Sequence, residues 1–183
     1  MDERKTSANS YLMPRFVAFL RGVSPMNLKM ADLKQCLEAA VFTEVKTILS
    51  SGNVAFHATI GDEEALARSI EEQLQRKLGR SFPVTVRSVE HLRKLLARDP
   101  FSNYSFPKGA KQVVTFLWRA PDAKLALPIR YEGVTIHEVK GLEVFTSYVP
   151  HPKGPVFMNL LEKTFGKEQT TRTWETVKKC SQA

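Results

Sequence analysis

The chain has 183 residues and a formal net charge of +8, with 43% hydrophobic and 25% charged residues. These proportions exclude disorder and a collagen repeat, and a chain this long buries enough surface to hold a core without disulfides or a metal. Its two cysteines, Cys36 and Cys180, share no CxxC spacing, and no stretch approaches the roughly 20 apolar residues that a membrane span needs.

Residues 1–12 are mostly charged or small and polar, and no apolar run follows Met1-Asp2-Glu3-Arg4-Lys5. They read as a flexible N-terminal tail on a cytoplasmic protein rather than a leader. Residues 15–21, Arg-Phe-Val-Ala-Phe-Leu-Arg, make a short apolar run between Pro14 and Gly22, which predicts a strand apolar on both faces. From Met30 to Val41, the positions Met30, Leu33, Leu37, Ala40 and Val41 recur at helical spacing, with Asp32 in the first turn. Val45–Leu49 and Val54–Ala58 are predicted strands joined by Ser50-Ser51-Gly52-Asn53, whose Gly and Asn tolerate the positive φ of a tight hairpin. Residues 62–78 form the clearest helix: Leu66, Ile70, Leu74 and Leu78 stand four apart, acids open it, and Arg76-Lys77 and Gly79 close it. Pro83–Arg87 is a fourth strand with its proline at the first position.

The order βαββαβ is that of a ferredoxin-like plait, two helices on one side of a four-stranded antiparallel sheet. Residues 13–88 therefore form a first subdomain. In residues 89–183, Ser88 caps a helix over Val89–Leu96, and a loop of roughly a dozen residues follows Asp99-Pro100. Val113–Trp118 is a strand, Val134–His137 and Leu142–Tyr148 form a hairpin around Lys140-Gly141, Phe157–Phe165 is a helix stopped by Gly166, Gln169–Arg172 is a brief strand, and Thr173–Cys180 is a last helix. That order suggests a second, degraded plait. The fold class is α+β, two ferredoxin-like subdomains in one chain. Because Phe16, Ala18 and Leu20 alternate with the equally apolar Val17 and Phe19, the second half is expected to cover the first sheet. An RNA-recognition sheet fits less well, since the third strand offers a single aromatic, Phe56, where base stacking wants several.

Four segments carry a family resemblance: Phe16-Val17-Ala18-Phe19-Leu20-Arg21-Gly22, Met30-Ala31-Asp32-Leu33, Ser51-Gly52-Asn53-Val54-Ala55-Phe56, and Thr170-Thr171-Arg172-Thr173-Trp174-Glu175-Thr176-Val177. From Pro14 to Lys179 the chain resembles the bacterial family catalogued as domain of unknown function 1697. The resemblance implies two plait-like subdomains and no established activity. Two departures stand out. The aliphatic-Asn-Val-Gly-Gly stretch that members usually have after Arg-Gly is replaced by Val23-Ser24-Pro25-Met26-Asn27, and the usual Thr-Arg-Asn-Trp-Asn-Thr-Val is replaced by Thr171-Arg172-Thr173-Trp174-Glu175-Thr176-Val177.

Three polar motifs are candidate sites, each with a plainer structural reading beside it. Arg21, Gly22 and Asn27 offer a guanidinium and loop amides to a phosphate or carboxylate; the same letters fit a crossover loop with Asn27 or Ser24 as a helix cap. Ser51, Gly52 and Asn53 suit a ligand contact or simply a hairpin turn. Thr170, Thr171 and Arg172 lead into a helix start and suit an anion, with Lys153 reaching in from a proline-rich loop; a Thr173 cap and an Arg172 ion pair account for them equally. The cationic pairs Arg76-Lys77, Arg93-Lys94 and Lys178-Lys179 lie near predicted helix ends, which favours dipole compensation over a polyanion groove.

Catalytic motifs are lacking: His57, His91, His137 and His151 are scattered, and there is no HExxH, GxSxG, Walker or Rossmann glycine pattern. No cofactor or metal is called for. The leading expectation is a non-enzymatic module that binds an anionic ligand, whether a nucleotide, phosphate or nucleic-acid backbone, through Arg21 and Arg172. The rivals are an enzyme using Ser51, Asn53, Arg21 and Thr171 on a small phosphorylated or carboxylated substrate, and a structural or partner-binding protein.

Overall fold

The computed structural model describes residues 13–59, 61–121, 124–150, 152 and 154–183. Residues 1–12, expected to form a tail, lie outside the described residues. The described chain is an α+β protein with two antiparallel sheets and five helices. It divides into two compact units, one reaching to Lys94 and taking in Lys179–Ala183, the other spanning Leu95–Lys178.

In the first unit the elements are β1 (Arg15–Leu20), α1 (Met30–Glu38), β2 (Thr43–Ile48), β3 (Asn53–His57), α2 (Glu63–Leu78) and β4 (Val84–Ser88), with strand order β2-β3-β1-β4. Residues paired across antiparallel strands share a face. Phe16 pairs with Phe56, and Ala18 pairs with Val54 on one side and Val86 on the other. This face joins Leu33, Leu37, Ile70 and Leu74 of the helices in one core. Val17 and Phe19 on the opposite face are also fully buried, so neither side of β1 meets water.

Helix α2 follows its local signals closely. Asp62 accepts hydrogen bonds from the Glu64 and Ala65 amides at 3.0 and 3.3 Å, and Gly79, at φ 66°, donates to Gln75 O to close the last turn. Asp62→Ala is expected to cost about 1 kcal/mol of stability. An unchanged midpoint in urea unfolding would show that the cap is dispensable. Helix α1 ends sooner than its apolar spacing predicts: it stops at Glu38 and leaves Val41 78% exposed. In the hairpin, Leu49 and Gly52 take the positive φ, while Asn53 is the first residue of β3 and is fully buried.

The later elements are α3 (Val89–Arg98), β5 (Lys111–Leu117), β6 (Ile129–Tyr131), β7 (Val134–Lys140), β8 (Glu143–Tyr148), α4 (Val156–Phe165), β9 (Gln169–Thr173) and α5 (Trp174–Cys180), and the second sheet runs β6-β7-β8-β5-β9. The Ser88 hydroxyl accepts from the His91 amide and caps α3 as expected. Strand β6 has no counterpart in the sequence reading. It is joined to β7 by Glu132-Gly133, both at positive φ, the geometry of a two-residue hairpin turn. Leu117, Ile136 and Val144 of the sheet and Leu161 of α4 form one core cluster of this unit. No helix among the described residues is long and apolar enough to cross a membrane.

Candidate functional site

At one end of the first sheet, the loop after β1 meets the β2–β3 turn. The Leu20 amide donates to Gly52 O at 2.8 Å, and a Cβ on Gly52 would lie 2.9 Å from Val23 Cβ. The first two motifs, Arg21–Asn27 and Ser51–Asn53, are thereby brought together. Much of their polarity is spent on the backbone. Asn27 accepts from the Ser24 amide and donates to Gly22 O, both at 2.8 Å, so it clamps the loop instead of capping α1. Asn53 Nδ2 donates to Ile48 O and to Ser51 Oγ, which ties the turn from inside the sheet. Neither Asn27 nor Ser24 caps the helix: Lys29 occupies that position and no side chain bonds the first turn there. Beside it lies a cavity of about 250 Å³ lined by Asn27, Lys29, Asp32, Leu78 and Arg80. Arg80 Nη1 donates to Asn27 O at 2.8 Å, which fixes a cation over the loop. Lys29 and Arg80 carry no motif, and sequence spacing does not reveal them.

The third motif lies in β9 of the other unit. Phe116 pairs with Thr170, Thr115 with Thr171, and Val114 with Arg172, so Thr170 and Arg172 share one face of the sheet while Thr171 points to the other. Thr171 Oγ1 lies 4.0 Å from Met158 Sδ, Thr170 is buried, and Arg172 Nη1 donates to Thr171 O at 2.8 Å. The three side chains therefore do not line one pocket. Thr173 accepts from the Thr176 amide at 3.3 Å and caps α5. Lys153, proposed to reach toward this motif, lies outside the described residues.

A further cluster forms on β7 and β8. The register slips between Ile136 and Glu138, a bulge that re-aims the side chains around it. His137 Nε2 lies 2.7 Å from Ser147 Oγ, and Glu138 pairs with Arg98, whose guanidinium sits 5.0 Å over the Phe145 ring. Phe145 and Ser147 are two apart on one strand, so the bulge turns two successive residues of β7 to the same face. Tyr104 covers the imidazole with ring centroids 4.3 Å apart, and Phe106 meets it edge-on at 5.8 Å. Burial, and secondarily the charge of Arg130, hold the His137 pKa below its usual value.

The family model described as "Protein of unknown function (DUF1697)" matches residues 13–144. The chain belongs to the DUF1697 family. Of the DUF1697 motifs, the stretch from Thr170 to Val177 falls beyond the matched residues. No curated protein matches the chain. Among solved structures, one described as conserved bacterial protein SP0830 from Streptococcus pneumoniae is similar, with a TM-score of 0.62 and 19% identity over 93% of this chain and 98% of that one. At that identity the likeness concerns the fold alone.

Both stretches that the resemblance singles out, Val23–Asn27 and Thr171–Val177, have local accounts. In the first, the Ser24 amide and Asn27 amide group complete the loop clamp, and Pro25 is exposed. In the second, Glu175 forms a 2.8 Å ion pair with Lys178 one turn along α5.

Proposed function

We propose that this DUF1697 protein binds a small phosphate-bearing anion at the start of α1. The observation that carries the reading is an uncapped first helical turn beside a cavity of about 250 Å³ that Lys29 and Arg80 line. Helix amides and two cations favour an anion there, and they outweigh the single opposing carboxylate of Asp32. Arg21, in the adjoining loop, adds to the positive field.

The same reading takes both units as ferredoxin-like plaits. Its support is strand order. The sheet β2-β3-β1-β4 of the first unit has its parallel in β7-β8-β5-β9 of the second, where α4 stands in the place of α2 and the segment holding β6 replaces the first crossover helix.

Calorimetric titration of the full chain with inorganic phosphate at low salt tests the site. Wild type is expected to bind, with affinity falling as sodium chloride is added. Arg80→Ala should weaken binding about tenfold or more, the worth of one charge-assisted contact. Absence of binding overturns the reading. Loss of binding in Arg172→Ala, with Arg80→Ala unaffected, would move the site to β9.

A further inference from the structure

A second cavity, of about 330 Å³, lies at the β6-β7-β8 edge of the other sheet and is lined by Arg130, Glu132, Thr135, Ser147 and Tyr148 among others. A row of directly paired residues crosses the sheet here, of which Arg130, Thr135 and Ser147 line the cavity: Arg130 opposite Thr135, Thr135 opposite Ser147, and Ser147 opposite Gln112. Residues paired in this way share one face, so their side chains form a polar line across four strands. Ser147 is only 6% exposed, yet it lines this cavity and holds the 2.7 Å contact to His137 Nε2.

A serine hydroxyl is a weak nucleophile until a base within hydrogen-bond reach takes its proton. His137 meets that geometric requirement, and its ring plane is held by Tyr104 on one face and Phe106 at the edge. From these observations we infer that Ser147 is a nucleophile activated by His137, and that the cavity accepts small carboxylic esters. Burial and the nearby Arg130 keep the imidazole neutral near pH 7, the form able to accept a proton.

The chemistry balances with water as the only co-reactant. Ser147 Oγ attacks the ester carbonyl carbon, and its proton passes to His137 Nε2. The new C–O bond to Ser147 forms as the bond to the alcohol oxygen breaks, and the imidazolium returns its proton to the departing alkoxide. Water, deprotonated by the same imidazole, then cleaves the acyl-serine. This releases a carboxylic acid and restores the hydroxyl. Sequence spacing conceals the pair, because only the β7–β8 register, with Thr135 opposite Ser147 and His137 two residues along on the same face, brings the ring to the hydroxyl.

The test is labelling of the full chain with an alkyl fluorophosphonate, read by intact mass and peptide mapping. Attack by Ser147 Oγ on phosphorus expels fluoride while His137 takes the proton, so one adduct per chain on Ser147 is expected. His137→Gln should slow labelling about 100-fold or more, the usual contribution of a general base. Mapping the wild-type adduct requires no variant, so the inference stays testable even where His137→Gln fails to fold. A folded wild-type chain that is unlabelled, or labelled only elsewhere, overturns the inference, as does an equal labelling rate in a folded His137→Gln. Hydrolysis of p-nitrophenyl acetate by wild type, lost in Ser147→Ala, would support it independently.

Discussion

Replacing Phe56 with alanine is expected to lower stability by about 3–5 kcal/mol, the usual cost of truncating a fully buried aromatic. Phe56 is 0% exposed and stands opposite Phe16 across the β1–β3 pair. Its ring lies 4.7 Å from that of Phe42 and 6.0 Å from that of Phe16. The change removes transfer free energy, two aromatic contacts and the packing of the surrounding helices in one step, because a close-packed interior collapses only partly around a void. Against a typical net stability of about 5–15 kcal/mol, such a loss is large. Urea unfolding followed by circular dichroism gives the number, and Phe56→Leu should fall between Phe56→Ala and wild type because it leaves a smaller void. A cost under about 0.5 kcal/mol, typical of surface positions, would mean that Phe56 is not central to the core.

Gly52→Ala should cost about 2–5 kcal/mol through two separable penalties. The first is conformational: at φ 77°, any residue with a Cβ loses about 1–2 kcal/mol. The second is steric. The added Cβ would lie 2.9 Å from Val23 Cβ and 3.1 Å from Leu20 Cβ, atoms attached directly to backbone that move only if the loop and β1 move. Overpacking of this kind costs about 1–3 kcal/mol. Gly22 supplies the internal control, since it sits at φ 75° with nothing within 4 Å of its missing Cβ. Gly22→Ala should therefore show the conformational loss alone. Equal losses at the two glycines would show that the loop after β1 yields freely to the turn.

The two variants also show which features local sequence carries. Helix α2 is legible because every signal for it lies within the segment: leucines four apart, an aspartate that caps the start and a glycine that closes the end. The β2–β3 hairpin is legible as a turn, but its chemistry is not. Asn53 is assigned positive φ by composition, whereas Leu49 takes that role and Asn53 uses its amide to bond Ile48 O and Ser51 Oγ. Val41 extends the apolar spacing of α1 beyond the helix end, because periodicity alone does not register where the chain must turn toward β2. Strand β7 is predicted to end at His137, where alternation fails; the bulge there lets pairing continue to Lys140.

The candidate sites divide along the same line. Arg21–Asn27 and Ser51–Asn53 are recognisable as polar loop motifs, yet only the packing of Val23 against Gly52 brings them together. Thr170, Thr171 and Arg172 look like one pocket when read as a string, and a strand separates them because adjacent residues point to opposite faces. Lys29 and Arg80 stand far apart in sequence and line one cavity.

By itself, the sequence determined the order of the elements other than β6, the α+β class, the family and the apolar character of both faces of β1, because each of these depends on residues close together in the chain. The tertiary structure alone decided which polar groups meet, from Asn27 with Arg80 to His137 with Ser147. Such meetings depend on loop packing and on strand register, which place side chains against distant parts of the chain and leave no periodic trace in the local sequence.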